Sequence, residues 1–179
     1  FQSQLPVMNK VEFNVEVQSL GENASPIMIT QSEYMRRMKE MAKIQQGMSF
    51  YGEMPDMFNL VLNADHKLIK NVLADSEGAC NTEISPINEK LAELSSRQNE
   101  LKKSQEGKKQ DEIPQAEKDE LSDIEKKSSE EKSKKLGILS EYASKNSTIQ
   151  QLIDLALLQN NMLKGEALTK FVKRSINLI

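Results

Sequence analysis

Val11-Glu12-Phe13-Asn14-Val15-Glu16-Val17-Gln18 alternates apolar and polar residues without a break, the two-residue period of a strand with one face in a core and the other toward water. Outward from it, Gly21 to Pro26 carry turn chemistry. Ile27-Met28-Ile29 then form a second short β segment, to be placed as a hairpin partner of the first or beside another strand. Ser32 at an N-cap, Glu33 in the first turn, a run free of Gly and Pro, and Gly47 beyond its end predict a helix of about four turns. Gly52 and Pro55 punctuate an irregular stretch before a strand at 58–62. Asn63 and Asp65 are set to turn the chain and cap a short helix that begins near His66 and carries Leu68, Ile69 and Val72. Strands and helices intermix, so the fold class is α+β, a small mixed sheet with helices.

From Asn88 to Lys135 the composition shifts to Lys, Glu, Ser and Gln, which by composition alone describes a disordered linker. Periodicity argues for structure. Ile84, Ile87, Leu91, Leu94 and Leu101 are spaced 3, 4, 3 and 7 apart, the seam of a coiled-coil helix. Ile113, Leu121, Ile124 and Leu136 recur less regularly after a polar break at 107–112, with Pro114 suited to a first helical turn. Two arms of about 22 residues, roughly 30 Å long at the helical rise, predict an inserted antiparallel helical hairpin.

Beyond Gly137 the apolar content returns. Ser147 or Thr148 is placed to cap a helix bearing Ile149, Leu152, Ile153, Leu155, Ala156, Leu157 and Leu158, which circle it and call for two packing surfaces. Lys164 and Gly165 break that helix. The last one lines up Leu168, Phe171, Val172, Ser175, Ile176 and Ile179 on one stripe, with Lys170, Lys173 and Arg174 at its margin. Two adjoining helices of this kind invite four-helix pairing with a second copy, a dimeric bundle. The chain thus divides into 1–84, an α/β core with a Met-rich helix; 85–136, the charged hairpin; and 137–179, the dimerisation helices.

With 28% charged residues and a net charge of −3 over 179 residues, the chain has no basic footprint for nucleic acid. Neither a membrane-spanning run nor a signal peptide is visible, so a soluble, cytoplasmic protein without nucleic-acid or membrane partners is expected. The lone Cys80 fits a reducing compartment, and Phe1 at the start points to a piece of a longer protein. His66 is the single histidine and has no partners at metal or catalytic spacing; it reads as a helix start. No phosphate loop, zinc motif or nucleophile elbow occurs, so no catalytic, cofactor or metal residue is assigned and no enzyme is expected.

Two stretches resemble the C-terminal domain of the 90-kilodalton heat-shock chaperones, in particular the bacterial HtpG form. Leu152-Ile-Asp-Leu-Ala-Leu-Leu158, followed by Leu163-Lys-Gly-Glu-Ala-Leu-Thr-Lys-Phe-Val-Lys-Arg-Ser-Ile-Asn-Leu178, is similar to that family's closing helices. Leu60-Val-Leu-Asn-Ala-Asp-His-Lys-Leu-Ile-Lys70 is similar to its strand-turn-helix. The likeness runs from about Val11 to Asp75 and from about Ser140 to Ile179, whereas the charged insert departs from shorter family members. It implies a homodimer joined through Leu152, Leu155, Leu168, Phe171, Val172, Ile176 and Ile179. It also implies a helix that touches unfolded or partly folded clients through Tyr34, Met38, Met41 and Ala42, with Met48, Phe50 and Tyr51 extending the patch. ATP and Mg would belong to parts of the parent N-terminal to this domain, which makes an ATPase of the parent alone. The resemblance does not extend to the acidic tail by which some members recruit helical-repeat cochaperones, so such partners are not expected.

From the residues alone, the seven methionines between Met28 and Met57 fit either an irregular core or a promiscuous surface, and the resemblance favours the surface. Arg36, Arg37, Lys39 and Lys43 are then expected to attract acidic client segments. The expected function is a chaperone's dimerisation and client-contact domain. The alternative is a coiled-coil adaptor or scaffold that works through the charged hairpin.

Overall fold

A computed structural model describes residues 1–44, 54–107 and 113–177, the side chain of Lys43 excepted. A 3-10 turn at Gln2–Gln4 precedes β1 (Val11–Gln18), β2 (Ile27–Gln31), α1 (Glu33–Ile44), β3 (Asp56–Asn63), α2 (Lys67–Gln105), α3 (Gln115–Lys145), α4 (Ser147–Gln159) and α5 (Gly165–Asn177). The α+β class is as the intermixed strand and helix patterns predict. The described residues form two compact units, one of 1–75 with 143–179 and the other of 76–142.

In the first unit the strands lie in the order β1-β3-β2. β1 runs parallel to β3, with Val11 opposite Asp56 and Gln18 opposite Asn63, while β2 runs antiparallel to β3, with Ile27 opposite Leu62. Of the two placements left open for β2, the one beside another strand is correct. β3 takes the centre because Leu60, Val61 and Leu62 are apolar on both faces, whereas β1 alternates and suits an edge. Leu60 and Leu62 join Ile27 and Ile29 on one face of the sheet. Ile149, Leu152, Ile153, Ala156 and Leu157 of α4, a helix that packs on β2, complete the core. Each leucine and isoleucine among them contributes about 1.5–3 kcal/mol when fully buried.

The second unit is an antiparallel pair formed by most of α2 and α3. Hydrogen bonds join Lys135 to Asn88 (2.8 Å), Arg97 to Glu120 (2.7 Å) and Gln105 to Glu117 (3.3 Å), so residue numbers fall along one helix as they rise along the other. Ile87, Leu101 and Ile124 are buried in its seam. Two expectations change here. The helix starting near His66 is not short but continuous to Gln105, even with Pro86 inside it. Leu136 is exposed, because it lies about a third of a turn off the Ile124 direction at 3.6 residues per turn. Lys135 and Glu131 lie nearer the seam instead; the Glu131 side chain is 13% exposed and bonded to Lys134 at 2.7 Å. Pro114 opens α3 as expected: its carbonyl accepts the first α-helical bond, from Lys118 N–H at 3.3 Å, and a second bond from Glu117 N–H at 3.0 Å.

Candidate interaction surfaces

α1 begins at Ser32, whose carbonyl accepts from Arg36 N–H at 3.0 Å, and Glu33 stands in its first turn where the helix dipole favours an anion. Tyr34, Met38, Met41 and Ala42 follow one another at helical spacing along one side. Tyr34 is 66% and Met41 44% exposed, and Met38 and Ala42 are half-buried. Ile44 is more exposed still. Met48, Phe50 and Tyr51 lie outside the described residues.

The expected basic attraction changes. Arg36 bonds Glu33 and Glu40, each at 2.8 Å; Arg37 bonds Glu33 at 2.8 Å; and Lys39 bonds Asp56 at 2.7 Å. Arg36 and Arg37 hold the Glu33 carboxyl below the ordinary carboxylate range. Arg36, Arg37 and Lys39 are therefore largely neutralised by neighbours three or four residues away and by the start of β3, while the side chain of Lys43 lies outside the described residues. Beside them lies an open cleft of about 360 Å³ lined by Lys10, Gln31, Lys39, Met54, Asp56 and Phe58 among others.

α4 and α5 form the second surface. Asn146, not Ser147 or Thr148, caps α4, with its Oδ1 accepting from Ile149 N–H at 3.1 Å. The helix ends before Lys164 and Gly165: Asn161 adopts φ +57°, Met162 N–H reaches the Leu157 carbonyl at 2.8 Å, and Asn161 N–H reaches that of Leu158 at 3.1 Å. This is the left-handed C-terminal cap in which asparagine replaces glycine.

Leu152 is buried in the chain's own core and has no face left for a partner. Leu155 and Leu158 look away from that core and are each 37% exposed. On α5 no residue is fully buried: Leu168 and Phe171 are half-buried, Val172 is 46% and Ile176 66% exposed, and Ile179 lies outside the described residues.

Arg174, expected at a solvated margin, instead ties the two helices together. Its guanidinium bonds Asp154 and Gln151 (Nε to Oε1, 3.0 Å), and Gln151 Nε2 donates to Ser175 Oγ at 2.6 Å. Asp154 is the one acid among the leucines of α4, and Ser175 interrupts the apolar stripe of α5. Those two breaks in pattern are the signal for this tie.

At the end of β3, Asn63 is fully buried. Its Oδ1 accepts from Leu20 N–H (3.2 Å) and Asp65 N–H (3.1 Å), and its Nδ2 donates to the Gly21 carbonyl (2.8 Å). Asp65 accepts from Ser19 Oγ (2.5 Å) and Gly21 N–H (2.8 Å), so it latches the loop after β1 and leaves the capping of α2 to His66, whose Nδ1 accepts from Leu68 N–H at 3.1 Å. Gly21 has φ +83°, a left-handed conformation that a side chain would strain. Among the described residues no cluster of His, Cys, Asp or Glu is arranged to hold a metal, and no helix is long and apolar enough to cross a membrane.

Fold and surfaces define an α+β module whose distinctive features are apolar helix faces open to solvent. Over its whole length the chain is homologous to the C-terminal region of bacterial HtpG chaperones, and it belongs to that family. It is 68% identical over 179 residues to the chaperone protein HtpG of Bacteroides thetaiotaomicron and equally so to that of Bacteroides fragilis; the HtpG of Porphyromonas gingivalis is 44% identical over 183. Each alignment takes in all of this chain and 26% of the relative, so the chain spans about a quarter of the length of these proteins. The likeness therefore includes the charged hairpin, which the two quoted stretches leave out. No family model and no solved structure matches.

Proposed function

We propose that this chain joins two copies of an HtpG-type chaperone through α4 and α5 and touches unfolded clients through α1. The observation that carries the first part is the apolar face of Leu155, Leu158, Val172 and Ile176, exposed on two helices already held in register by Arg174 and Asp154. Burying about 800 Å² per protomer makes an interface of standard size. Four such helices from two copies supply a bundle of the usual kind. A permanent joint at this end keeps the parent's other parts at high effective concentration, so their closure becomes an intramolecular event. ATP and Mg would be bound and turned over in those N-terminal parts, and a cytoplasmic location agrees with the single thiol. In this reading residues 1–84 bear the client helix, 85–136 the hairpin and 137–179 the joint.

Ile176→Asp tests the dimer without disturbing the core, since Ile176 is exposed in the single chain. The variant should sediment as a folded monomer at micromolar concentration where the parent chain sediments as a dimer, and Phe171→Asp should act in the same direction. Equal mass for both variants and the parent chain would overturn the assignment. A second reading, a scaffold working through the hairpin, draws on the fact that residues 76–142 are compact in their own right.

A further inference from the structure

β1 borders the sheet, and the bonds at its two ends show which of its residues serve β3. Asp56 N–H donates to the Lys10 carbonyl at 2.8 Å and Ala64 N–H to the Gln18 carbonyl at 2.9 Å. In a regular parallel ladder the residues bonded to a given neighbour alternate. Glu12, Asn14, Glu16 and Gln18 thus direct their backbone groups at β3, and Val11, Phe13, Val15 and Val17 direct theirs outward. Val11 N–H is taken by the Met8 carbonyl at 3.3 Å. Among the described residues no strand pairs with the rest of this border.

The side chains indicate what would fit. Glu12, Asn14 and Glu16 share one face, where Glu16 accepts from Asn14 Nδ2 (3.3 Å) and Gln18 Nε2 (3.1 Å). Among the described residues no cation pairs with Glu12 or Glu16. On the other face Val15 is half-buried and Val17 is 68% exposed. We propose that the free border of β1 accepts a fourth strand from another polypeptide, an extended segment in which Lys or Arg alternates with apolar residues. This surface is separate from α1 and stands whether or not α1 touches clients.

In an antiparallel addition Phe13, Val15 and Val17 make the hydrogen-bonded pairs. Glu12, Asn14 and Glu16 then occupy the non-hydrogen-bonded positions, where facing side chains come closest. A cation there meets Glu12 or Glu16, while the alternate apolar side chain extends the Val15–Val17 face. A second copy of β1 is disfavoured. Pairing centred on Asn14 sets Glu12 against Glu16 of the other copy, and pairing centred on Val15 leaves the two Glu16 carboxylates diagonal to one another, within reach of like-charge repulsion. Charge on an edge strand guards against self-association in this way and leaves the edge open to a complementary strand.

The test is titration of the full chain with a labelled eight-residue peptide of alternating Lys and Val, followed by anisotropy and amide hydrogen exchange. Binding is expected, with exchange slowed at Phe13, Val15 and Val17. N-methylation at the Val positions should abolish it, because those amides face β1; N-methylation at the Lys positions should not. Glu12→Lys with Glu16→Lys should weaken the Lys-Val peptide about tenfold, as expected for two cross-strand ion pairs, and admit a Glu-Val peptide instead. Val15→Pro, which removes an outward N–H at a position where an edge strand tolerates proline, should also block binding. No binding, binding indifferent to N-methylation at Val, or binding unchanged by the charge reversal would each overturn the proposal.

Discussion

Asn63 ties three backbone groups of two segments together from a site with no access to water. Removing its amide by Asn63→Ala leaves the Leu20 and Asp65 N–H groups and the Gly21 carbonyl without their partner. A loss of about 2–4 kcal/mol is expected from groups of this kind. It should appear as a lower urea midpoint at unchanged slope, and an unchanged midpoint would show that water replaces the amide.

Asp65, beside it, is held below the ordinary carboxylate range first by the Ser19 hydroxyl, then by the Gly21 N–H and Lys70. A carboxyl depressed in the folded state adds stability above the unfolded value, near pH 4, and that stability disappears as pH falls through the lower folded value. Asp65→Asn should flatten the acid limb of the stability curve; an equally steep limb would remove Asp65 from the account. The sequence shows Asn63 and Asp65 as turn formers, but not their partners. The loop they hold lies 44 residues earlier, beyond the reach of any local pattern.

At the scale of elements, periodicity reads well where a single face decides the outcome and poorly where two elements share it. The strand at β1 and the helix at α5 form where their apolar spacing puts them, with Val17 and Ile176 left exposed. α2 does not break after Val72: no apolar period marks residues 76–83 and Gly78 lies among them, yet the helix runs through. In α3 the apolar pattern misplaces Leu136, because Lys135 and Glu131 find polar partners nearer the seam.

On α1 the face of Tyr34, Met38 and Met41 follows from spacing, as do the pairs of Arg36 and Arg37 with Glu33 and Glu40 three or four residues away, while the pairing of Lys39 does not, since Asp56 arrives from β3. The two facts lead to one prediction. If the helix binds clients by apolar contact with its charges already paired, Met38→Ser with Met41→Ser should reduce binding to an unfolded model protein several-fold, as loss of apolar area at a contact implies. Raising the salt concentration should change it little. Strong salt dependence with no effect of the methionines would reverse the assignment.

At the scale of the molecule, the two units differ in what holds them. The sheet unit has a core built from β2, β3 and α4. The hairpin depends on a thin seam of Ile87, Leu101 and Ile124 supplemented by exposed ion pairs such as Arg97 with Glu120, of the sort worth well under about 1 kcal/mol each. All the described residues assigned to the joint and to client contact belong to the first unit. Replacing residues 88–135 by a short Gly-Ser linker therefore separates the two functional readings. If the chain is a chaperone's joint, the shortened protein should keep its cooperative unfolding and its dimeric mass in sedimentation, and lose helical signal in proportion to the residues removed. If the hairpin is the working part of a scaffold, the dimer or the captured partner should disappear with it while the sheet unit still folds. Pairing the deletion with Ile176→Asp sharpens the outcome: a dimer that survives the first change and fails on the second lies on α4 and α5, whereas one lost with the hairpin and indifferent to Ile176 lies on α2 and α3.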